Sequence, residues 1–207
     1  MAIVENGPAN SALTVLLAHG AGAGMDTPFM DIIAEGLGEL GWRVKRFEFP
    51  YMVKSRERGK KSPPNALPKL QASFLEVLKE CSGPVVLAGK SMGGRVATTI
   101  LEESTAVGCV VLGYPFHPPG KPSSLRIEHL QSIQKPFMVL QGERDPFGKK
   151  EEFPNAWLPS GAELHWIPDG EHSFKARKKS DATTEGNLQL AVEYIHRFCT
   201  ALAKNAG

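Results

Sequence analysis

Residues 85–103, VVLAGKSMGGRVATTILEE, pass directly from an apolar run into a segment with helical periodicity. Between the two, Ser91 has Gly89 two positions before it and Gly93 two positions after it. A sharp turn between a strand and a helix leaves no room for side chains at those positions, which accounts for both glycines. The segment therefore predicts a strand, a tight turn and a helix, with the Ser91 hydroxyl beside the unpaired N–H groups of the helix N-terminus. An ordinary turn without chemistry is the alternative.

The rest of the chain repeats this alternation of strands and helices. Apolar runs predict strands at residues 14–18, 42–49, 85–88, 109–112, 137–140 and 164–167. Apolar residues at helical spacing predict helices at 28–40, 66–81, 92–103 and 188–202, whereas the basic segment 50–64 is expected to be a long loop. Apolar strands separated by helices indicate the α/β class, with a mostly parallel sheet of about six strands flanked by helices. Without a repeat or a linker, residues 1–207 are predicted to form a single domain.

A nucleophilic serine needs a base, and in a fold of this kind the base follows the serine and the acid along the chain. His172 follows the last predicted strand, in WIPDGEHSF, and is the preferred base. Four other histidines also lie after Ser91, namely His117, His129, His165 and His196. His117 follows a strand and could line a pocket, whereas His129 comes too early in the chain. His165 falls inside a predicted strand and His196 inside a predicted helix, so both are expected to be structural.

The acid is expected between the serine and the histidine, after a strand. The segment FMVLQGERDPFG offers Asp145, which lies in a tight Asp-Pro turn, and Glu143 as the reserve candidate. The carboxylate would hold the tautomer of the imidazole and stabilise the imidazolium. Asp169 and Glu171 are too close to His172 in the chain to orient it, and we expect them to be solvated turn residues.

A serine nucleophile also needs N–H donors for the oxyanion. The N–H of Met92, directly after Ser91, is one candidate. The other comes from LLAHGAGAG, where small residues after an early strand would let the backbone approach a substrate oxygen. We expect Ala21 to be this donor, with Gly22 as second choice. His19 is expected to be a structural residue of the loop rather than a base, and it could also line the pocket. The loop could instead hold phosphate, but it matches neither GxGxxG nor GxxxxGK[ST].

Taken in order, HGAGAG, GKSMGGR, QGERDPFG and DGEHSF resemble the α/β-hydrolase superfamily. The resemblance is closest to its small, capless dienelactone-hydrolase-like members, including the testis-expressed-type branch with GKSMGGR at the nucleophile elbow. It runs from about Leu13 to Phe198.

The resemblance implies a Ser-Asp-His triad on Ser91, Asp145 and His172. True dienelactone hydrolases use a cysteine at the position of Ser91, so their activity is not implied. Because the chain is short for this superfamily, we expect it to lack the first two antiparallel strands and a lid domain.

Basic residues near the expected site allow two interpretations. Lys90, beside the nucleophile, could stabilise the oxyanion or attract an acidic substrate. Alternatively, it could form an ion pair with a nearby carboxylate. The basic segment, Lys54, Arg56, Arg58, Lys60 and Lys61, follows a strand on the same side. It is either solvated surface or a means of steering anionic acyl substrates.

Net charge, apolar run length and cysteine spacing argue against several other classes of protein. A net charge of +2 gives no support for nucleic-acid binding. No apolar run approaches the ~20 residues that span a bilayer. Cys81, Cys109 and Cys199 are far apart, without metal-ligand spacing, which is typical of a reducing compartment. We therefore expect a cytoplasmic protein without a membrane segment, a metal or an organic cofactor.

These features favour a serine hydrolase of small carboxylic esters or thioesters, acting through an acyl-enzyme. Its only expected partner is the small-molecule substrate, and it could be a monomer or a homodimer. A serine peptidase or amidase on the same triad, and a non-catalytic binding protein of the same fold, are the alternatives.

Overall fold

The computed structural model describes residues 3–153 and 157–205, which form a seven-stranded sheet flanked by helices. The strands are β1 (Ile3–Asn6), β2 (Thr14–Ala18), β3 (Arg43–Phe47), β4 (Val85–Lys90), β5 (Gly108–Leu112), β6 (Phe137–Gly142) and β7 (Glu163–Ile167). The helices are α1 (Pro28–Glu39), α2 (Pro50–Arg58), α3 (Leu67–Lys79), α4 (Met92–Ile100) and α5 (Thr184–Asn205), with short 3-10 helices at Glu128–Ser132 and Lys150–Glu152. The order in the sheet is β1-β3-β2-β4-β5-β6-β7.

The sheet confirms the predicted α/β class, with one strand more than expected. The additional strand, β1, pairs antiparallel with β3, and the other neighbouring strands are parallel. The expectation that both early antiparallel strands are absent is therefore wrong for one of them. Its sequence, IVEN, is short and its central residues are exposed, so no apolar run marked it as a strand.

The predicted loop at 50–64 is also partly wrong, because its first half is helix α2. Pro50 stands at the first helical position, where its fixed φ is suitable, and Gly59 ends the helix with a φ of +61°. Tyr51 is the one buried residue of this helix, so the sequence shows no apolar periodicity. Asn65, just before the N-cap of α3 at Ala66, accepts a hydrogen bond from the Tyr51 N–H at 3.0 Å and so ties the two helices together.

Two apolar clusters cover the two faces of the sheet. Leu16 of β2 belongs to the cluster that includes Phe74 of α3. Its neighbour Val15 belongs to the cluster on the other face, with Ile33 of α1 and Val192 of α5. Because β2 and β4 to β7 all run in one direction, the loops that follow them meet at one edge, outside the carboxyl ends of the strands.

The segment between β5 and β6, residues 113–136, contains only the 3-10 helix at Glu128–Ser132, so no lid domain is inserted there. None of the helices in the described ranges is long and apolar enough to cross a membrane.

Candidate active site

Ser91 occupies a sharp turn between β4 and α4. Its φ of 51° and ψ of −112° lie outside the conformations that a serine favours, a strain of roughly 1–3 kcal/mol. The Ser91 N–H donates to the Leu112 carbonyl at 3.0 Å, and its carbonyl accepts from the Arg95 N–H at 2.9 Å. These two bonds anchor the turn to β5 on one side and to α4 on the other, and they fix the hydroxyl above the sheet edge.

The two glycines that flank Ser91 are required by close backbone contacts. A Cβ on Gly89 would lie 2.3 Å from the Gly93 carbonyl carbon, and a Cβ on Gly93 would lie 2.5 Å from the His19 carbonyl oxygen. Because both contacts are with backbone, no side-chain rotation could relieve them. The steric reason inferred from the sequence for these glycines therefore agrees with their surroundings.

Replacing Gly93 with alanine is expected to lower the free energy of unfolding by on the order of 3 kcal/mol, because the new methyl group would force backbone apart. Urea unfolding followed by circular dichroism measures the change. Gly161→Ala is the matched control, since a Cβ there would meet nothing within 4 Å. If the two variants had equal stability, the close packing at Gly93 would be contradicted.

A chain of hydrogen bonds joins Ser91 to His172 and Asp145. The Oγ of Ser91 lies 2.9 Å from Nε2 of His172, and Nδ1 of the same ring lies 2.8 Å from Oδ2 of Asp145. Asp145 is fully buried, and its Oδ1 accepts a hydrogen bond from the Phe147 N–H at 2.9 Å. The structure thus brings together the three side chains that the sequence selected, although they lie on three separate loops.

Local backbone geometry holds the acid and the base in position. Asp145 lies in a turn closed by its own N–H, which donates to the Gly142 carbonyl at 3.0 Å. His172 lies in a loop after β7 that turns through a positive φ at Asp169 and at Phe174. The ring of Phe147 packs against the imidazole with centroids 4.4 Å apart, a contact that the sequence analysis did not foresee.

The competing acids have other partners. Glu143 accepts hydrogen bonds from the Asp169 N–H at 2.9 Å and from Lys150 Nζ at 2.7 Å, and these contacts lower its pKa. Asp169 is not the solvated turn residue that we expected, because it is buried and pairs with Arg177.

The competing histidines have partners other than Ser91 in the described part of the chain. His117 is 1% exposed, its Nε2 lies 3.3 Å from Glu152, and it does not line the cavity described below, so its predicted place in the pocket is wrong. His129, His165 and His196 contact Thr98, Glu163 and Trp42, respectively.

The predicted oxyanion donors have available N–H groups. Among the described residues, the backbone N–H groups of Met92, Ala21 and Gly22 have no hydrogen-bond acceptor. Ala18, at the end of β2, stands opposite Gly89 of β4 in the parallel register, so the loop after β2 starts beside the serine turn. Gly22 and Ala21 both line the same cavity as Ser91.

His19 holds the start of this loop, as expected. Its Nε2 accepts from the Phe49 N–H at 3.1 Å, which leaves Nδ1 to donate to the Gly20 carbonyl at 2.7 Å. Burial lowers its pKa, in keeping with a neutral ring that has a structural role. His19 does not line the cavity, so its predicted pocket position is wrong.

Helix α2 provides a second support for the loop that the sequence analysis missed. The Tyr51 hydroxyl lies 3.0 Å from both the Gly20 and the Ala21 carbonyl oxygens, and donates its hydrogen to this pair. Glu48 accepts from the Met25 N–H and from Arg56, which also pairs with Asp26. Arg56 is therefore engaged with carboxylates beside the loop, while the other basic residues of this segment, Lys54, Arg58, Lys60 and Lys61, are exposed.

A cavity of about 420 Å³ opens over Ser91 and His172. Its walls are residues 20–24, the start of α1 at residues 27–30, and Lys90, Phe147 and Ser173. The described lining side chains are mostly small or apolar, and Lys90 is the one charged residue among them, so the space suits a small, mainly apolar group. The described residues contain no group of three or more His, Cys, Asp or Glu side chains that could hold a metal ion.

Lys90 lines this cavity, but it does not form the ion pair that we considered. Its Nζ donates to the backbone carbonyl of His172 at 2.6 Å, and it pairs with no carboxylate in the described part of the chain. The sequence could not indicate this partner, because it is a main-chain atom 82 positions away.

Comparison with known proteins adds a family and several relatives. A family model described as an alpha/beta hydrolase domain matches residues 11–200. A protein of Pongo abelii, provisionally named protein-lysine deacylase ABHD14B, is 26% identical over 145 residues, which cover 69% of this chain and 67% of that protein.

Two solved structures have a similar fold. Est1E from Butyrivibrio proteoclasticus, solved with ferulic acid bound, has a TM-score of 0.71 at 16% identity, covering 97% of this chain and 94% of its own. A serine hydrolase without a lid from Xanthomonas campestris has a TM-score of 0.66 at 20% identity, covering 93% and 88%. At such low identity, these structures establish a shared fold alone.

Proposed function

The chain belongs to the α/β-hydrolase family, and from this premise we propose that it is a serine hydrolase that cleaves small carboxylic esters or thioesters. Family membership confirms the resemblance to α/β-hydrolases that was drawn from the sequence. It also confirms the predicted broad class of enzyme, a hydrolase. The observation that carries the proposal is the continuous hydrogen-bonded chain from Ser91 Oγ through His172 to Asp145.

The first half of the reaction would form an acyl-enzyme on Ser91. His172 Nε2 removes the hydroxyl proton while Oγ attacks the acyl carbon, and the carbonyl π electrons move onto oxygen. The N–H groups of Met92 and Ala21 would bind this oxyanion. When the tetrahedral intermediate collapses, the C–O or C–S bond to the leaving group breaks, and His172 gives its proton to the departing alkoxide or thiolate.

The second half would release the acid. A water molecule takes the place of the leaving group, His172 removes one of its protons, and the resulting hydroxide attacks the acyl carbon. Collapse of the second intermediate breaks the bond to Ser91 Oγ, which recovers its proton from His172. Asp145 would keep the hydrogen of the neutral ring on Nδ1, so that Nε2 can accept a proton at the start of each half.

The supports of the loop after β2 favour this mechanism because an oxyanion site works best when its dipoles are fixed before the reaction. Tyr51 holds the two carbonyl oxygens that flank the Ala21 N–H, and Glu48 holds the Met25 N–H further along. The loop would then need little reorganisation when negative charge develops on the substrate.

Labelling with a fluorophosphonate probe tests the proposal directly. We expect the native protein to displace fluoride from phosphorus and form a covalent adduct on Ser91, because His172 makes this hydroxyl nucleophilic. Mass spectrometry of the digested protein identifies the modified residue, and His172→Ala should label far more slowly. A native protein that remains unlabelled would argue for a non-catalytic binding protein of the same fold.

Amide hydrolysis is the second candidate, favoured by the name of the Pongo abelii relative, a lysine deacylase. A panel of butyryl compounds with an alcohol, a thiol or the ε-amine of a lysine peptide as leaving group separates the two. We expect the ester and the thioester to be cleaved faster, since the amine is a poorer leaving group. Cleavage of the peptide with the highest kcat/KM would favour the deacylase instead.

A further inference from the structure

Lys90 is a buried lysine directly before the proposed nucleophile. The residue is 8% exposed, and its Nζ donates to the backbone carbonyl of His172 at 2.6 Å. The ring of Phe29 lies on another side, with its centroid 5.5 Å from Nζ. Burying a lysine without an ion-pair partner is costly, so a role beyond packing is expected for it.

The Lys90 ammonium group and Nδ1 of the His172 ring border the same glycine, Gly113. A Cβ built on Gly113 would be 3.0 Å from Lys90 Nζ and 3.2 Å from Nδ1 of His172, which shows how closely the two nitrogens share this space. The ionisable groups around Nζ are Asp145 after β6, and Glu171 and His172 after β7. Both carboxylates favour the charged lysine, but burial prevails and lowers its pKa from 10.5 to about 8.

Other bonds hold the flanks of the histidine loop. The Gly170 N–H donates to Ile167 at 3.1 Å, the Phe174 N–H to Glu171 at 2.8 Å, and the Arg144 N–H to Gly170 at 2.9 Å. Among the described residues, the carbonyl of His172 itself receives a hydrogen bond from Lys90 alone. The flanks of the loop therefore have bonds of their own, whereas the peptide that carries the imidazole is tied to β4 through Lys90.

We propose that Lys90 is a positioning residue, whose ammonium group fixes the His172 backbone relative to Ser91 and so sets the distance from Nε2 to Oγ. One residue thus links the strand that carries the nucleophile to the loop that carries the base. This inference rests on the proposed function, because it assigns a role within the same proton transfer.

Lys90→Met tests this role, because methionine keeps most of the volume and removes the donor. For a short-chain nitrophenyl ester we expect kcat to fall about 10–100-fold, since small errors in the position of a catalytic group are costly. KM should stay within about twofold, because ground-state binding does not depend on the base. Lys45→Met is the matched control: Lys45 is also buried, but it lies in β3 with its Nζ 3.5 Å from Glu5, and the variant should keep the kcat of the wild type.

The pH profile of the wild type gives a test that does not depend on a variant folding. Because burial lowers the pKa of Lys90 to about 8, its ammonium loses its proton near pH 8 rather than near 10.5. A neutral amine makes a weaker bond to the carbonyl than a charged donor, so kcat should decline through that range. Lys90→Met should lack this decline.

A wild-type kcat in Lys90→Met, or a flat wild-type kcat between pH 7 and 9.5, would overturn the inference. Fluorophosphonate labelling of the wild type separates this failure from failure of the proposed function. If the wild type labels at Ser91 and hydrolyses the ester while Lys90→Met does so equally well, only the role of Lys90 is lost. If the wild type neither labels nor hydrolyses esters, the proposed function and the inference are both wrong.

Discussion

Replacing Ser91 with alanine should lower kcat for a short-chain nitrophenyl ester by on the order of 10⁴-fold or more, because no acyl-enzyme can form. The remaining groups of the site would still bind substrate and present N–H donors to the carbonyl oxygen, so KM should change little. The residual rate would reflect direct attack by water on a bound ester. Release of nitrophenolate under saturating substrate measures the loss.

The fold should survive this substitution. Alanine carries the same backbone strain as serine at a φ of 51°, and the two backbone bonds of residue 91 do not involve the side chain. Circular dichroism and a urea unfolding curve check this point. Ser132→Ala is the control, since Ser132 is exposed and, within the described ranges, its hydroxyl donates only to the His129 carbonyl at 2.8 Å. Activity of Ser91→Ala equal to that of Ser132→Ala would exclude Ser91 as the nucleophile.

The sequence was most informative where a strand is buried on both faces. The run TVLLA predicted a buried strand, and the structure confirms β2 at Thr14–Ala18. Once the sheet is parallel, the loops after its strands must meet at one edge, so the residue types in those loops were enough to select Ser91 and His172 and to limit the acid to Asp145 or Glu143. The tight turn added a second constraint, because only glycine fits at residues 89 and 93.

The sequence was least informative where contacts with distant residues determine the local structure. Strand β1 is exposed along its centre and exists because its backbone pairs with β3. Helix α2 buries Tyr51 alone, so its apolar pattern is too sparse to distinguish it from a loop. The support that Tyr51 gives to the loop after β2 depends on where α2 packs, and no local pattern contains that information.

The choice between Asp145 and Glu143 shows the same limit at the site itself. Both follow β6 within three residues, and both are carboxylates that could orient an imidazole. The structure distinguishes them through their partners, because Glu143 bonds to Asp169 and Lys150, whereas Asp145 bonds to His172. The closing turn at Gly142 to Asp145 points one side chain inward and the other outward, a difference that the spacing of the two residues does not encode.

Asp145→Asn is expected to lower kcat by about 10⁴-fold, through the wrong tautomer of His172. The amide side chain of this variant can still accept the Phe147 N–H at Oδ1, so its nitrogen would face Nδ1 of His172 in place of Oδ2. That nitrogen donates, and Nδ1 would become an acceptor. The ring proton would then reside on Nε2, which could no longer accept the proton of Ser91.

Glu143→Gln is the matched control, because Glu143 stands two residues away, follows the same strand and keeps an oxygen for the Asp169 N–H after the change. It should retain most of the activity, while Asp145→Asn should keep KM and the unfolding curve close to those of the wild type. Steady-state kinetics of the two variants on one ester therefore compare two neighbouring carboxylates under the same conditions. If kcat fell further in Glu143→Gln than in Asp145→Asn, Glu143 and not Asp145 would be the acid. The carboxylate that orients the imidazole is the one whose replacement by an amide holds His172 in the wrong tautomer.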